Sequence, residues 1–385
     1  MDPSTVRILV AYVPAGSGHQ RAAEAIAAAF HQIHPEADVS LLDASEKLTP
    51  WYRWCYTRGY LSLIQSAPSL WGLLYFLTDI RILHSLVANL FRAVNVSPAA
   101  GLERLLLETQ PDILIGTHFL PMEVAAFLKK SRNLRMQLIC VITDYIPHAF
   151  WLSEGIDTYV VGCVRAKEDL LNRGISSHRI QVLGIPVDPK FHRRGDRIAI
   201  AKRLGFDPSP FTILIGSGGA GTGPVAQLVT ELGKVREPIQ LVVITGKNAS
   251  LFKTLENVRQ TFPHPMRVEG FVHNMDEWMD LSDLLLTKPG GLTCAEALTK
   301  GIPMVLYNPI PGQETRNAKF LEEAGATILV ERIADIRELM VQLIHDRSRL
   351  ETLRQNAKKV RFPDAALEIA RRALVHPAGN SQRVG

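Results

Sequence analysis

The sequence predicts an α/β protein of two doubly wound domains, each organised around a parallel sheet. Residues 6–13 and 211–215 are short apolar runs, as buried parallel strands are. Each run leads into a glycine-rich turn, at 15–19 and at 216–221, and then into a helical pattern. A length of 385 residues is comfortable for two such domains, and a hydrophobic content of 46% is enough for two cores.

The boundary between the domains is predicted in a segment rich in proline and charge, residues 184–197. The first domain then covers residues 1–187 and the second covers 188–362, and a final helix at 363–377 crosses back onto the first domain. The polar tail that follows is predicted to be loosely ordered. No signal peptide is predicted, because the first residues lead straight into a strand.

The bulk composition excludes several functional classes. A net charge of +5 and a pI of about 9.0 suit nucleotide phosphates or an anionic lipid surface, but they are too small to indicate nucleic-acid binding. The four cysteines are scattered and form no C-x-x-C pair, so neither a disulfide framework nor a zinc knuckle is indicated, and the reduced cytosol is the simpler compartment. No Asp-x-Asp occurs, so neither a metal nor a cofactor is expected.

The stretch Lys288-Pro-Gly-Gly-Leu-Thr-Cys-Ala-Glu296 is the most informative part of the second domain. Its glycines permit a tight turn between the apolar run 284–287 and a helix predicted over 293–300. Free N–H groups and the helix dipole attract an anion to such a turn. Glu296, predicted in the first helical turn, can accept hydrogen bonds from a vicinal diol such as a ribose, each worth roughly 1.5–3 kcal/mol. The alternative is a simple partner for the helix dipole.

A second polar segment, Pro309-Ile-Pro-Gly-Gln-Glu314, follows one strand later. Gln313 and Glu314 leave a loop shaped by two prolines and Gly312, and their amide and carboxylate groups suit sugar hydroxyls. The turn at 216–221 is a further phosphate-type turn, but it lacks the Lys and Ser/Thr ending of a P-loop, so ATP hydrolysis is not predicted.

In the first domain, His19 stands at the entrance of the helix that follows Gly16-x-Gly18. The third glycine of the dinucleotide fingerprint is absent, so the turn alone is a weak signal, and His19 could simply cap its helix. Asp144 and His118 fall at the carboxyl ends of neighbouring predicted strands, on the same crevice side as His19. The spacing of the histidines gives no recognisable zinc triad.

Residues 51–96 have an unusual composition. No charge occurs between Arg58 and Asp79, and the whole stretch has four arginines against one aspartate. A transmembrane helix needs about 20 apolar residues, whereas polar residues interrupt this run. We therefore predict a segment that docks onto an anionic membrane surface, continued by an amphipathic helix at 80–94. The alternative is a helical hairpin packed within the domain. The aromatic residues that would form the interfacial belt are Trp51, Tyr52, Trp54, Tyr56, Tyr60, Trp71 and Tyr75.

Together, the two motifs of the second domain resemble the donor-binding region of nucleotide-sugar glycosyltransferases of the MurG and monogalactosyldiacylglycerol synthase type. That family has a Pro-Gly-Gly-x-Thr-x-x-Glu run followed by Pro-Gly-Gln-Glu, and a Gly-x-Gly-His run at the first turn. The resemblance implies the GT-B architecture, with two doubly wound domains facing across a cleft. The residues it implies for the UDP-sugar are Gly216, Ser217, Gly218, Gly219, Phe271, Val272, Lys288, Gly290, Gly291, Thr293, Glu296, Gln313, Glu314 and Asn317. Those predicted for the acceptor or the membrane are Gly18, Trp51, Trp54, Trp71, Tyr75 and Phe76.

The resemblance further implies an inverting, metal-independent transfer of glucose or galactose from a UDP-sugar to 1,2-diacylglycerol. The enzyme would be peripheral, on the cytoplasmic side of an anionic membrane, with no nucleic-acid partner. His19 is the predicted general base, since its ordinary pKa of about 6.5 suits neutral pH, and Asp144 is the alternative base or the residue that orients His19. Alternatives are MurG-like transfer of N-acetylglucosamine to another lipid, a UDP-sugar 2-epimerase and a non-catalytic membrane adaptor.

Overall fold

The computed structural model describes residues 5–80 and 99–375, and these form two compact units. The first unit comprises the chain up to Pro189, the loop Ile310–Gln313 and the chain from Phe362 on. The second unit comprises Lys190–Pro309 and Glu314–Arg361. Each unit has its own sheet and its own apolar core.

The first unit is built on a parallel sheet. Its described strands are β1 (Arg7–Tyr12), β2 (Asp38–Asp43), β3 (Ile113–Gly116), β4 (Gln137–Val141), β5 (Thr158–Val161) and β6 (Ile180–Val182). They lie in the order β2-β1-β3-β4-β5-β6, with Ala11 of β1 paired to Leu42 on one side and to Gly116 on the other. β3 and β4 are buried along their whole length, and their sequences are accordingly apolar apart from Gln137.

Helices described in the first unit are α1 (Gly18–Ile33), α2 (Pro50–Trp54), α3 (Tyr60–Ser66), α4 (Pro68–Asp79), α5 (Ala100–Thr109), α6 (Phe119–Ser131) and α7 (Val164–Asn172). The helix Ala365–Val375 also belongs to this unit and packs against α1, where alanines on both helices allow a close approach. Gly184 permits a second close approach. Its φ is +94°, and a Cβ there would lie 2.2 Å from Cβ of Phe362.

The second unit has a parallel sheet of its own. Its strands are β7 (Phe211–Gly216), β8 (Ile239–Ile244), β9 (Met266–Glu269), β10 (Leu284–Thr287), β11 (Met304–Tyr307) and β12 (Thr327–Val330), in the order β12-β11-β10-β7-β8-β9. The helices are α8 (Arg197–Leu204), α9 (Val225–Leu232), α10 (Ala249–Arg259), α11 (Met275–Leu281), α12 (Gly291–Lys300), α13 (Gln313–Glu323), α14 (Ile336–His345) and α15 (Arg347–Val360).

The strand order of each sheet reverses at one place. In the first unit the neighbours at this point are β1 and β3, and in the second they are β7 and β10. Chains leave the carboxyl ends of such neighbours toward opposite faces, which opens a crevice where ligands bind in doubly wound sheets. The turns that follow β1, β7 and β10 are among those in which the sequence predicts site residues.

The unusual segment forms short helices as far as it is described. α2, a π-helical turn at Cys55–Gly59, α3 and α4 follow one another. Within the described residues, no helix combines the length and apolar character needed to cross a bilayer. The predicted helix at 80–94 lies almost entirely outside the described residues, as does the rest of the segment beyond residue 80.

Candidate active site

His19 lies in the first turn of α1, directly after the turn that follows β1. Gly16 makes this turn possible because its φ is +89°. The Nδ1 atom of His19 lies 2.6 Å from the Thr117 carbonyl oxygen and 3.1 Å from the Thr143 hydroxyl. The Thr117 hydroxyl in turn donates to the His19 carbonyl over 2.8 Å. Residues that follow two strands, β3 and β4, therefore hold the imidazole of a residue that follows β1.

These contacts determine which ring nitrogen of His19 carries the proton. The Thr117 carbonyl can only accept a hydrogen bond, so Nδ1 is the protonated nitrogen. In the neutral ring, Nε2 then has the lone pair and can act as a base. Burial disfavours the imidazolium and lowers the pKa of His19 to about 4, although the hydrogen bond to Thr117 opposes this shift. His19 is therefore a neutral base at physiological pH.

Aromatic rings surround His19. The His118 ring centroid is 4.8 Å away in an edge-on arrangement, and the Trp151 centroid is 6.2 Å away. The buried His118 accepts a hydrogen bond at Nδ1 from the Leu120 N–H, and burial together with nearby His19 keeps its pKa well below the ordinary value. The sequence placed His118 at a strand end without giving it a site role. The proximity of the two rings is a tertiary feature.

Asp144 lies three residues after the end of β4, next to Thr143, and is partly buried. The sequence predicted it as an alternative base or as the residue that orients His19. In the structure the hydrogen-bonding partners of His19 Nδ1 are Thr117 and Thr143. Sequence reasoning missed these two threonines, although each stands at a strand end directly before a residue that it did consider.

In the second unit, the turn after β7 is packed tightly against the loop after β8. Gly221 has a φ of +65°, and a Cβ there would lie 2.1 Å from the Thr245 carbonyl oxygen. The buried Ser217 hydroxyl donates to the Ile244 carbonyl over 2.7 Å. Gly218 also has a positive φ, of +70°, but open space around it. The backbone of this turn is therefore fixed at the switch point of the sheet.

The turn after β10 lies beside it and is fixed in a similar way. The buried Lys288 amino group donates to the Thr222 hydroxyl over 2.6 Å, which joins the two turns. The Asn317 side chain donates to the Pro289 carbonyl over 3.2 Å. Sequence reasoning assigned Lys288 and Asn317 to the donor without foreseeing these contacts.

The helix after this turn starts earlier than predicted. α12 begins at Gly291 with Gly290 as its cap, whereas the prediction began at Thr293. The chain turns at Gly290, so Gly291 is already the first residue of the helix. Thr293 therefore lies in the first turn, and Glu296 lies in the second turn rather than the first. Glu296 is nonetheless buried, on the helix that begins directly after the turn that follows β10.

The other predicted donor residues lie on neighbouring loops. Gln313 and Glu314 open α13, after a loop in which Gly312 has a φ of +101°. Phe271 follows β9 with its ring exposed, 5.6 Å from the Lys247 amino group, and the partly buried Val272 comes next.

The segment 51–80 exposes a set of large apolar side chains, which we name the exposed apolar surface. Its members are Trp51, Trp54, Leu70, Leu73, Leu74, Phe76 and Leu77. Four aromatic residues predicted for the interfacial belt, Tyr52, Tyr56, Trp71 and Tyr75, do not belong to it. Tyr75 is buried with its ring 4.2 Å from that of His148, and the buried Tyr52 packs against Tyr56. Trp71 is half-buried, and its indole N–H donates to the Gln313 side-chain oxygen over 3.4 Å.

Comparisons with known proteins give a family match in each half of the chain. Residues 19–187 match the family model of monogalactosyldiacylglycerol (MGDG) synthase, and residues 212–369 match the glycosyltransferase family 28 C-terminal domain. The processive diacylglycerol beta-glucosyltransferase of Bacillus pumilus (strain SAFR-032) is 34% identical over 268 residues, 70% of each chain. The chloroplastic monogalactosyldiacylglycerol synthase of Spinacia oleracea is 31% identical over 95% of this chain and 72% of its own.

The chain belongs to the MGDG synthase family of glycosyltransferases. Among solved structures, Acinetobacter baumannii MurG has a TM-score of 0.65 at 15% identity, covering 96% of this chain and all of its own. S. aureus MnaA with UDP has a TM-score of 0.61 at 13% identity, covering 97% and 98%. At this identity the likeness concerns the fold alone, and it confirms the predicted GT-B fold with its two Rossmann-like halves. The predicted family is confirmed as well.

Proposed function

We propose that this member of the MGDG synthase family transfers a hexose from a UDP-sugar to 1,2-diacylglycerol with inversion at the anomeric carbon. The observation that carries the proposal is the position of His19, whose Nδ1 is held by the Thr117 carbonyl at the switch point of the unit that matches the family model. Relatives named for this reaction are more than 30% identical to the chain over two thirds of it or more.

In the proposed reaction, Nε2 of His19 takes the proton from the acceptor hydroxyl. The oxygen attacks the anomeric carbon as the bond from that carbon to the diphosphate breaks, and UDP leaves with the electron pair. General-base assistance of this kind is worth roughly 10²–10⁴-fold in rate. The N–H groups of the turn at 216–221 and of the first turn of α12 stabilise the charge on the leaving group, without a metal ion.

We assign the donor and acceptor to different residues. Glu296 accepts hydrogen bonds from the ribose, and Gln313, Glu314 and Asn317 contact the hexose hydroxyls. Phe271 and Val272 lie against the uracil. The exposed apolar surface, with the exposed Arg53 beside it, binds the cytoplasmic face of an anionic membrane, from which diacylglycerol enters. A mild basic excess favours such a membrane over nucleic acid.

The test is incubation of the full chain with labelled UDP-glucose or UDP-galactose and vesicles that contain diacylglycerol. The lipid product should be a monohexosyl diacylglycerol. Comparison of product formation with the two donors shows which sugar the enzyme prefers. Activity should be the same with and without EDTA. Formation of an epimerised UDP-sugar in the absence of lipid would instead indicate a 2-epimerase, and failure to bind UDP would indicate an adaptor.

A further inference from the structure

Helix α4 has two faces with different surroundings. Leu70, Leu73 and Leu77 on one face belong to the exposed apolar surface. On the other side, Trp71 and its neighbours contact the loop Ile310–Gln313, which belongs to the same compact unit as α4. The helix that would meet lipid is therefore also the helix that holds the loop leading to Gln313.

The contacts between α4 and this loop are close. A Cβ on Gly72 would lie 2.6 Å from Cβ of Pro311, and a Cβ on Gly312 would lie 2.7 Å from Cγ of Tyr75. Glycine at both positions lets the backbone approach the Pro311 and Tyr75 side chains so closely. At the end of the loop, the Trp71 indole N–H donates to Gln313 Oε1 over 3.4 Å.

The far end of α4 is anchored in the unit. The Asp79 carboxylate accepts hydrogen bonds from the Ala149 N–H over 2.8 Å and from the Arg173 guanidinium over 2.9 Å. The His148 ring donates to the Tyr75 carbonyl over 2.8 Å. With its C-terminal end fixed, α4 can transmit a restraint on its exposed face to the loop on its other face.

We propose that Trp71 and Gly72 are positioning residues for the sugar donor, and that lipid contact with α4 tightens the binding of the donor hexose. The inference rests on the proposed function, because Gln313 matters only if it contacts the sugar. Lipid restrains α4 in the orientation that places Gln313. The coupling is reciprocal, so a bound UDP-hexose tightens lipid binding by the same factor.

The test measures binding of UDP-glucose, UDP-galactose and UDP to the full chain, with and without vesicles of phosphatidylcholine and phosphatidylglycerol. The vesicles contain no diacylglycerol, so no transfer occurs. We expect vesicles to tighten binding of the preferred UDP-hexose by roughly fivefold or more and to leave binding of UDP unchanged. The UDP-hexose should in turn increase flotation of the protein with the vesicles.

Variants of α4 separate positioning from folding. Gly72→Ala should abolish the vesicle-dependent gain and raise KM for the UDP-hexose more than it lowers kcat, with flotation retained. Trp71→Phe keeps a ring but lacks the indole N–H, and it should weaken UDP-hexose binding roughly three- to tenfold. It serves as the decisive variant if Gly72→Ala does not fold. Ser69→Ala, on the exposed part of the same helix, is the matched control.

Two results would overturn the inference while leaving the proposed function intact. One is an equal affinity of the wild-type chain for the UDP-hexose with and without vesicles. The other is a full vesicle-dependent gain in Trp71→Phe or Gly72→Ala. A wild-type chain that binds neither UDP-hexose would contradict the proposed function, and this inference with it.

Discussion

At the scale of single residues, the chemistry depends on how His19 is held rather than on its presence alone. A histidine at a helix entrance is often a cap. Here Nδ1 is held by the Thr117 carbonyl and lies beside the Thr143 hydroxyl, which leaves Nε2 as the basic nitrogen. Burial keeps the ring neutral. Because of these two effects, His19 is already unprotonated at Nε2 at neutral pH and can accept a proton directly.

Replacement of His19 by alanine should lower kcat by roughly 10²–10⁴-fold and leave UDP binding unchanged, because the residues assigned to UDP itself lie in the second unit. Transfer assays and UDP titration measure the two effects. His31→Ala is the matched control, since His31 is exposed on the same helix. Unaltered turnover in His19→Ala would exclude the proposed role.

The pH dependence of kcat/KM provides an independent check on His19. The base must be unprotonated, so activity is present above its pKa and is lost as the pH falls through it. Because burial lowers this pKa to about 4, the acidic limb should have its midpoint near pH 4 rather than near the ordinary value of about 6.5. A midpoint at the ordinary value would show that His19 is solvated in the free enzyme.

Glu296→Gln should weaken UDP binding by roughly ten- to a hundredfold, since the ribose loses charge-assisted hydrogen bonds that are each worth about 1.5–3 kcal/mol. Calorimetric titration with UDP measures this loss. Glu323→Gln, at an exposed position of α13, controls for removal of a negative charge. Normal binding of UDP to Glu296→Gln would place the ribose elsewhere.

At the scale of secondary-structure elements, the two turns of the second unit depend on different kinds of glycine. Gly221 is restricted both by its φ of +65° and by the Thr245 carbonyl. Gly218 is restricted by its φ of +70° alone, because nothing lies within 4 Å of an added Cβ. The contact with the loop after β8, and not the turn conformation alone, fixes the first of these positions.

This difference predicts unequal effects of alanine at the two positions. Gly218→Ala should lower the free energy of unfolding by about 1–2 kcal/mol, the cost of a left-handed backbone for a residue with a Cβ. Gly221→Ala should cost more and also weaken UDP binding, because the turn must move away from the Thr245 carbonyl. Denaturant unfolding and UDP titration of both variants measure this. Equal losses would contradict the argument from packing.

At the scale of the whole molecule, the exposed apolar surface distinguishes the first unit. Large apolar side chains on α2 and α4 stay in contact with water although the unit has a well-formed core. Trp51 is 71% exposed and Phe76 is 59% exposed. Several large apolar side chains exposed along one helix, as on α4, mark a surface that another apolar phase covers.

Phe76→Glu should reduce binding to anionic vesicles by tenfold or more, because burial of one large apolar side chain contributes about 1.5–3 kcal/mol and the new charge repels the lipid. UDP binding without vesicles should not change. Ile198→Glu, at a 69% exposed position of the second unit, is the matched control. Equal flotation of both variants would show that this surface does not meet the membrane.

Much of the fold could be predicted from the sequence because strands such as β1, β7 and β10 are short, largely apolar runs that lead into glycine turns. Boundaries were less accurate. α12 begins two residues before its predicted start, since nothing local distinguishes a glycine that makes a turn from one that begins a helix. The family was predictable because Lys288–Glu296 and Pro309–Glu314 are contiguous motifs, and their spacing can be read from the sequence alone.

By itself, the sequence determined the two doubly wound domains, the family and the polar residues at the strand ends, all of which are periodic or contiguous along the chain. Only the tertiary structure decided which nitrogen of His19 is basic, that Tyr75 is buried, and that Trp71 contacts Gln313. Such facts depend on pairs of residues distant in sequence. Local patterns record the preferences of one segment, whereas burial and hydrogen-bond partners are set by the segments that pack against it.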